Sequence, residues 1–311
     1  TLLSRAPHLV LDGLQAAADA VNAHKVYLYL HQNAVPAAEK ALGEREAAGI
    51  DEHAVTVITA PDTFVAGEES AAIRHVEGGP ALPRDRTVVS AVSGVHGRPT
   101  LVNNVETLAH IGLIARFGAD WFRSVGDDAD PGSMLVTLSG AVADPGVIEV
   151  PTGVLLTELL ARAGAAELRA ILVGGYHGTW IPAGALEGLR LSRASLQTVG
   201  ASPGAGIIHA LPNDVCGLAR TAQITEYLAG ESARQCGPCR NGLPTLALLL
   251  AELASNRVDD ALVTEIRRVT GLVDGRGSCR HPDGTARMIR SALVTFAADV
   301  EAHRRRTCES A

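Results

Sequence analysis

Residues 231–242 read ESARQCGPCRNG, which sets Cys236 and Cys239 two residues apart in a chain of 311 residues with five cysteines. Three chemistries use such a pair: a metal or iron–sulfur site, a redox dithiol, and a tight turn that merely contains two thiols. A thioredoxin-like dithiol starts a helix in a βαβ setting. The flanks here are helical instead, with apolar residues at helical spacing over about 215–230, 243–255, 259–273 and 283–304. Four such segments joined by short loops predict an all-α four-helix bundle. In an up-down bundle the ESARQCGPCRNG loop and the loop DGRGSCRHPDG (274–284) fall at the same end, which brings Cys279 toward Cys236 and Cys239. Thiolates converging from tight loops suit iron–sulfur or zinc ligation. The redox pair and the unliganded turn stay open at this point. His177, His209 and His281 are isolated in sequence. His281, two residues after Cys279, reads either as a further ligand or as a solvated loop histidine.

Upstream, MLVTLSG (134–140) and GVIEVP (146–151) read as strands joined by the turn signal AVADPG. LLTELLARAG (155–164) follows as a helix and AILVGG (170–175) as a strand. A hairpin, a helix and further strands predict a small α+β module of the β-grasp kind. In the first third, helix 7–23, strand VYLYL (26–30), helix 34–49 ending at Gly49, and strand AVTVIT (54–59) form a βαβ unit with parallel strands. Two polar stretches then precede apolar helices: VAGEESAAIRHVEGG (65–79) and VNNVET (102–107). Free N–H groups at helix starts bind phosphates and hydroxyls, but Asn and Thr are also ordinary caps.

Composition narrows the partners. Hydrophobic residues make up 47% and charged residues 20%, which fits a folded globular chain. Aromatics are 3%, so Ala, Leu and Val must fill the cores. The net charge of −7 argues against nucleic acid as a partner. No apolar run approaches the ~18 residues of a bilayer span, so no direct membrane insertion is expected. An odd number of scattered cysteines does not read as a secreted disulfide framework, and a cytoplasmic location is expected. Arg304, Arg305 and Arg306 read as a solvated helix end.

Together these stretches resemble the family of flavin- and NADH-binding 51 kDa subunits of respiratory complex I (NADH-ubiquinone oxidoreductase), whose module recurs in NAD-reducing hydrogenases and formate dehydrogenases. FVAGEESAAIRHVEGG (64–79) is similar to the family's glycine–glutamate segment, and AVSGVHGRPTLVNNVETLAHI (91–111) is a close and specific match. LVTLSGAVADPGVIEVPTGVLLTELL (135–160) is similar to the SLBB β-grasp domain, and ESARQCGPCRNG to the family's cluster loop. The resemblance implies a partial Rossmann-like α/β domain for FMN and NADH over 1–130, an SLBB domain over 131–212 and a helical iron–sulfur domain over 213–311. It places Gly67, Glu68 and Glu69 at the flavin and nicotinamide site. Val102, Asn103, Asn104 and Thr107 would hold the ribityl and phosphate groups of FMN. Cys236, Cys239 and Cys279 would bind a [4Fe–4S] cluster. It further implies NADH:acceptor oxidoreductase chemistry, redox-subunit partners such as a ferredoxin-like or thioredoxin-like iron–sulfur protein, and a peripheral membrane position through those partners.

Three departures qualify this picture. The family's glycine-rich FMN segment precedes the region that matches this chain, so the flavin site here is expected to be incomplete, lacking its phosphate cradle. The family's first cluster cysteine falls at Ala233, leaving Cys308, Cys216, His281 or water as the fourth ligand, or a three-iron form. The family's tyrosine falls at Phe64. The alternative expectation is a diverged, non-catalytic scaffold that keeps the fold.

Overall fold

The structure, a computed structural model, describes residues 1–85, 88–255 and 259–308. It divides into two compact units, Thr1–Ser124 and Val125–Ala311.

The first unit is built on two parallel strands, Val26–His31 and Val55–Ala60, paired from Val26↔Val55 to His31↔Ala60. The helix Val35–Ala48 connects them, with Pro36 in its first turn and Gly49 in the left-handed region at its end. Leu28 and Leu30 point from the first strand into a core shared with Leu11, Ala38 and Ala41. The period-2 alternation of VYLYLH produces that face directly. The helix Pro7–Ala20 turns Val10 and Ala17 toward Leu108 and Ala109 of the helix Val105–Phe117. These two helices meet backbone to backbone. A Cβ on Gly13 would lie 1.7 Å from the Leu108 carbonyl oxygen, and one on Gly112 3.0 Å from that of Leu9. The buried Arg45 guanidinium braces the same region, reaching Asp12 and Asp51 at 2.7 Å each.

The second unit contains a five-stranded sheet and a set of helices. The strands Ser133–Gly140 and Gly146–Pro151 form the expected hairpin. Ile207–Pro212 pairs parallel to Ser133–Gly140 and antiparallel to Leu168–Val173, and Thr179–Pro182 closes the far edge. Leu168–Val173 is apolar on both faces for a reason visible in the cores. Ile171 and Val173 pack with Leu156, Leu159 and Ile208 on one side. Ala170 and Leu172 face the other side, against Leu218, Leu228, Leu243 and Met288 of the helices. The sheet and the helices therefore share a core, and the 131–212 and 213–311 segments lie in one compact unit.

The helices are Gly217–Gly230, Leu243–Ala254, Asp260–Val273, His281–Thr295 and Ala297–Arg304. Each of the first four packs on the next, and His281–Thr295 returns to Gly217–Gly230. The single helix expected over 283–304 is two, broken at Phe296 (φ −106°, ψ 30°). There the Phe296 ring stands edge-on to Trp180 at 5.1 Å. It also fills the space over Gly217, where a Cβ would lie 2.3 Å from the ring. Among the described residues no helix is long and apolar enough to cross a membrane.

Candidate functional site

The ESARQCGPCRNG loop leaves the Gly217–Gly230 helix at Glu231 and re-enters helix through a π-helical turn, Pro238–Gly242. Pro238 needs no N–H at this first position. The wide π turn, a feature frequent at functional sites, carries Cys239 inward to 2% exposure. Arg234 adopts φ +52°, an uncommon conformation for a non-glycine residue, and its backbone N–H serves the Cys239 sulfur. From the other loop, Cys279 is buried at 5% exposure just ahead of the His281–Thr295 helix. Its loop is held by Asp283, which accepts from the Gly275 N–H at 2.8 Å and pairs with Arg280 at 3.1 Å. Burial pushes the Cys239 thiol up to about 12, and the neighbouring Cys236 and Cys279 sulfurs add to the rise. The three thiols thus form one electrostatic group, although Cys239 and Cys279 come from different loops.

This donor set fits an iron–sulfur group. Iron–sulfur clusters take thiolates, and burial together with N–H groups aimed at sulfur tunes them. The structure also narrows the fourth position. Cys216 caps the start of the Gly217–Gly230 helix, whose 14 residues rise about 21 Å before the cluster loop begins. Burial, and then the neighbouring Cys308, push the Cys216 thiol up to about 11, and its sulfur lies within 4.8 Å of ligand atoms of His303 and Cys308. Cys216 and Cys308 therefore belong to a second group and do not complete the first. His281 lies near the loop, but both of its ring nitrogens are engaged: Nε2 at 2.8 Å from the Leu228 carbonyl and Nδ1 at 3.2 Å from His177 Nε2. Ala233 offers no ligand atom.

Nothing in the spacing of residues signals the His177–His281 pair, 104 residues apart. Burial, then the charges of His281 and Arg287, lower His177 to about 4, so it is neutral at physiological pH. The π turn and the Arg234 conformation were equally unforeseen; Gly237 and Pro238 signalled only a turn.

In the first unit, Gly67, Glu68 and Glu69 follow the C-terminal end of the Val55–Ala60 strand, the side of a parallel sheet where ligands bind. Tyr29, on the other strand, donates from its hydroxyl to the Ala66 carbonyl at 3.1 Å and fixes this loop. Glu68 is the N-cap of the Glu69–Val76 helix, accepting from the N–H groups of Ser70 and Ala71 at 2.9 and 3.1 Å. The Ser90 hydroxyl donates to Glu69. Asn104 caps the Val105–Phe117 helix, accepting from the Thr107 N–H at 2.8 Å. Asn103 is half-buried, while Val102 and Thr107 are exposed. The capping role expected for the Asn–Thr pair is thus present in the geometry, and the carboxylate of Glu68 is engaged in the same way.

Comparison with known proteins defines the class. Residues 1–113 match the model of the Nuo51 FMN-binding domain, 135–171 that of the SLBB domain, and 219–303 that of the NADH-ubiquinone oxidoreductase-F iron–sulfur binding region. The matches support FMN, NAD(H) and a [4Fe–4S] cluster as the cofactors of the class. The second F-type NADH-quinone oxidoreductase subunit of Rhizobium meliloti (strain 1021) is 30% identical, over 97% of this chain and 76% of that protein. The F-type subunit of Escherichia coli (strain K12) is 28% identical, over 97% of this chain and 72% of that protein. An NAD+-reducing [NiFe]-hydrogenase in its H2-reduced state superposes with a TM-score of 0.90 at 29% identity; this chain spans 53% of that chain's length. The chain belongs to the family of F-type NADH-quinone oxidoreductase subunits, the 51 kDa class.

Proposed function

We propose that this chain is an electron-transfer subunit of the NADH dehydrogenase type, carrying electrons from NADH through FMN to a [4Fe–4S] cluster. The observation that carries the reading is the approach of Cys236, Cys239 and Cys279 from two loops of the helical region, with Cys239 and Cys279 buried and Cys236 half-buried. FMN exchanges two electrons with a nicotinamide, and a thiolate-held cluster carries one at a time. In this reading Cys236, Cys239 and Cys279 hold iron, and a non-protein ligand such as water takes the position that Ala233 leaves open. The Arg234 N–H favours the thiolate form of Cys239, and burial of Cys239 and Cys279 keeps water from the sulfurs. Gly67, Glu68 and Glu69 face the flavin and nicotinamide. Val102, Asn103, Asn104 and Thr107 bind the ribityl and phosphate groups at a helix N-terminus, where N–H groups favour anions.

The same reading assigns three functional domains: 1–130 to flavin and NADH, 131–212 to SLBB, and 213–311 to the cluster. The sheet order, with a parallel central pair flanked by two antiparallel hairpin-like pairs, supports a β-grasp SLBB module. The ring of four packed helices supports the bundle, and the parallel strand pair with its connecting helix supports a partial Rossmann-like unit. Other redox subunits are the proposed partners, at a cytoplasmic or peripheral membrane location.

Anaerobic reconstitution with iron and sulfide tests the proposal. The expected product is brown, absorbs near ~400 nm and holds about four irons per chain, or about three for a three-iron form. Colourless, iron-free protein would favour a scaffold that keeps the fold without the cluster. NADH–ferricyanide activity with added FMN tests the flavin half separately.

A further inference from the structure

Cys216, His303 and Cys308 come together at the opposite end of the Gly217–Gly230 helix from the cluster loop. One ligand atom from each lies within 4.8 Å of the other two. Cys216 and His303 are fully buried, and Cys308 is half-buried. The Cys216 sulfur stands 3.1 Å from His303 Nε2. Cys216 is the N-cap residue of the Gly217–Gly230 helix, which fixes its place at the start of that helix. The His303 ring is uncommitted otherwise, because its Nδ1 has no hydrogen-bond partner among the described residues.

The surroundings are built to hold this arrangement. Asp299 lies one helical turn before His303 and is 4% exposed. Its two oxygens accept from Arg169 at 2.6 Å and from the Gly217 N–H at 3.1 Å. Asp299 is thus committed to the scaffold and adds a nearby negative charge without occupying the ligand position. The Phe296 ring against Gly217 fixes the junction between the two helices that carry the ligands.

We propose that Cys216, His303 and Cys308 form a metal site for a zinc-class divalent ion, separate from the three-cysteine centre. Two thiolates and an imidazole are a soft donor set that suits Zn²⁺. A tetrahedral Zn²⁺ with bonds of about 2.3 Å to sulfur and 2.0–2.1 Å to nitrogen holds its ligand atoms about 3.5–3.8 Å apart, so the Cys216–His303 pair, at 3.1 Å, opens by roughly half an ångström and the approaches to Cys308 close by at most about 1 Å. Water takes the fourth position. The ion pins Cys308 and the helix Ala297–Arg304 to the start of the Gly217–Gly230 helix.

The test uses the full chain after anaerobic iron loading, equilibrated with Zn²⁺ and dialysed, with zinc and iron measured together. One zinc per chain is expected beyond the cluster iron. Cys308→Ser should weaken zinc binding by about tenfold or more, since changes even beyond the direct ligands cost about that much. Cys308 is half-buried and outside the helices, so this variant tests the site even if Cys216→Ser does not fold. Cys279→Ser should lose iron and keep zinc, so that a failure of the cluster reading and a failure of this one are distinguishable. Co²⁺ in place of Zn²⁺ should show a sulfur-to-metal charge-transfer band that Cys308→Ser weakens. The proposal is overturned if wild type retains no zinc, if zinc retention is the same in Cys308→Ser, or if it follows Cys279→Ser instead. A Cys216–Cys308 disulfide in zinc-free protein would overturn it as well.

Discussion

Among single residues, Ala233 and Asn104 separate ligation from architecture. Ala233 stands in the cluster loop three residues before Cys236 and is half-buried. Ala233→Cys supplies a fourth thiolate where three are present. After identical anaerobic reconstitution, the variant should lose its absorption near ~400 nm more slowly in air than wild type, because a fourth thiolate protects an otherwise exposed iron. Equal decay in both proteins would count against a cluster at this loop. Cys239→Ser should abolish that absorption altogether. Asn104 accepts from the Thr107 N–H, so Asn104→Ala should cost about 1 kcal/mol of stability through the lost cap. Asn104→Ser keeps a capping oxygen. If Asn104 also contacts FMN, Asn104→Ser should weaken flavin binding at nearly unchanged Tm, which fluorescence titration and thermal melts together measure.

Between elements, two close approaches matter most. The helices Pro7–Ala20 and Val105–Phe117 touch through Gly13 and Gly112. The second of these helices begins at Asn104, so the spacing of the pair places the proposed flavin-binding cap. A Cβ on Gly13 meets backbone rather than a movable side chain. Gly13→Ala should therefore destabilise by about 1–3 kcal/mol or more and force the helices apart. Urea unfolding would measure it, and an unchanged midpoint would contradict the packing. In the second unit, Arg169 on the sheet pairs with Asp299 on the last helix, with the carboxylate almost fully buried. Arg169→Ala leaves that carboxylate with only the Gly217 N–H and should cost about 2 kcal/mol. The same measurement checks it.

For the molecule as a whole, buried neutral histidines set a pH dependence. His177 is lowered to about 4 by burial first and then by His281 and Arg287. His209 is also lowered, by burial and then by Arg220, while Ser139 sits beside its Nδ1. In the unfolded chain a histidine titrates near ~6.5. Between that value and the folded one, the unfolded chain binds more protons, so stability rises with pH. It is fully present above about pH 6.5 and is lost as pH falls toward about 4. Melts between pH 7 and 5 should show a falling Tm, and His177→Gln should flatten the slope. A Tm independent of pH across this window would show that these rings are not buried neutral.

Spacing along the chain was enough to specify most of the elements and to narrow the cluster loop to a metal site, a redox pair or a turn, among which the family resemblance pointed to the cluster. Period-2 and period-3.6 patterns placed the paired parallel strands, the hairpin and most of the helices, because burial of an apolar face is a local property of spacing. The Cys-x-x-Cys turn and the asparagines at a helix start were legible for the same reason. Contacts between distant residues decided what spacing cannot encode. The break at Phe296 depends on an aromatic contact with Trp180, more than a hundred residues away, and the doubly apolar Leu168–Val173 strand joins the sheet and helical cores. The bundle topology read from spacing already brought Cys279 toward Cys236 and Cys239, but the place of the other two cysteines was invisible in one dimension. Cys216 and Cys308 were candidates for the fourth ligand until the length of one helix set Cys216 at its other end, beside Cys308.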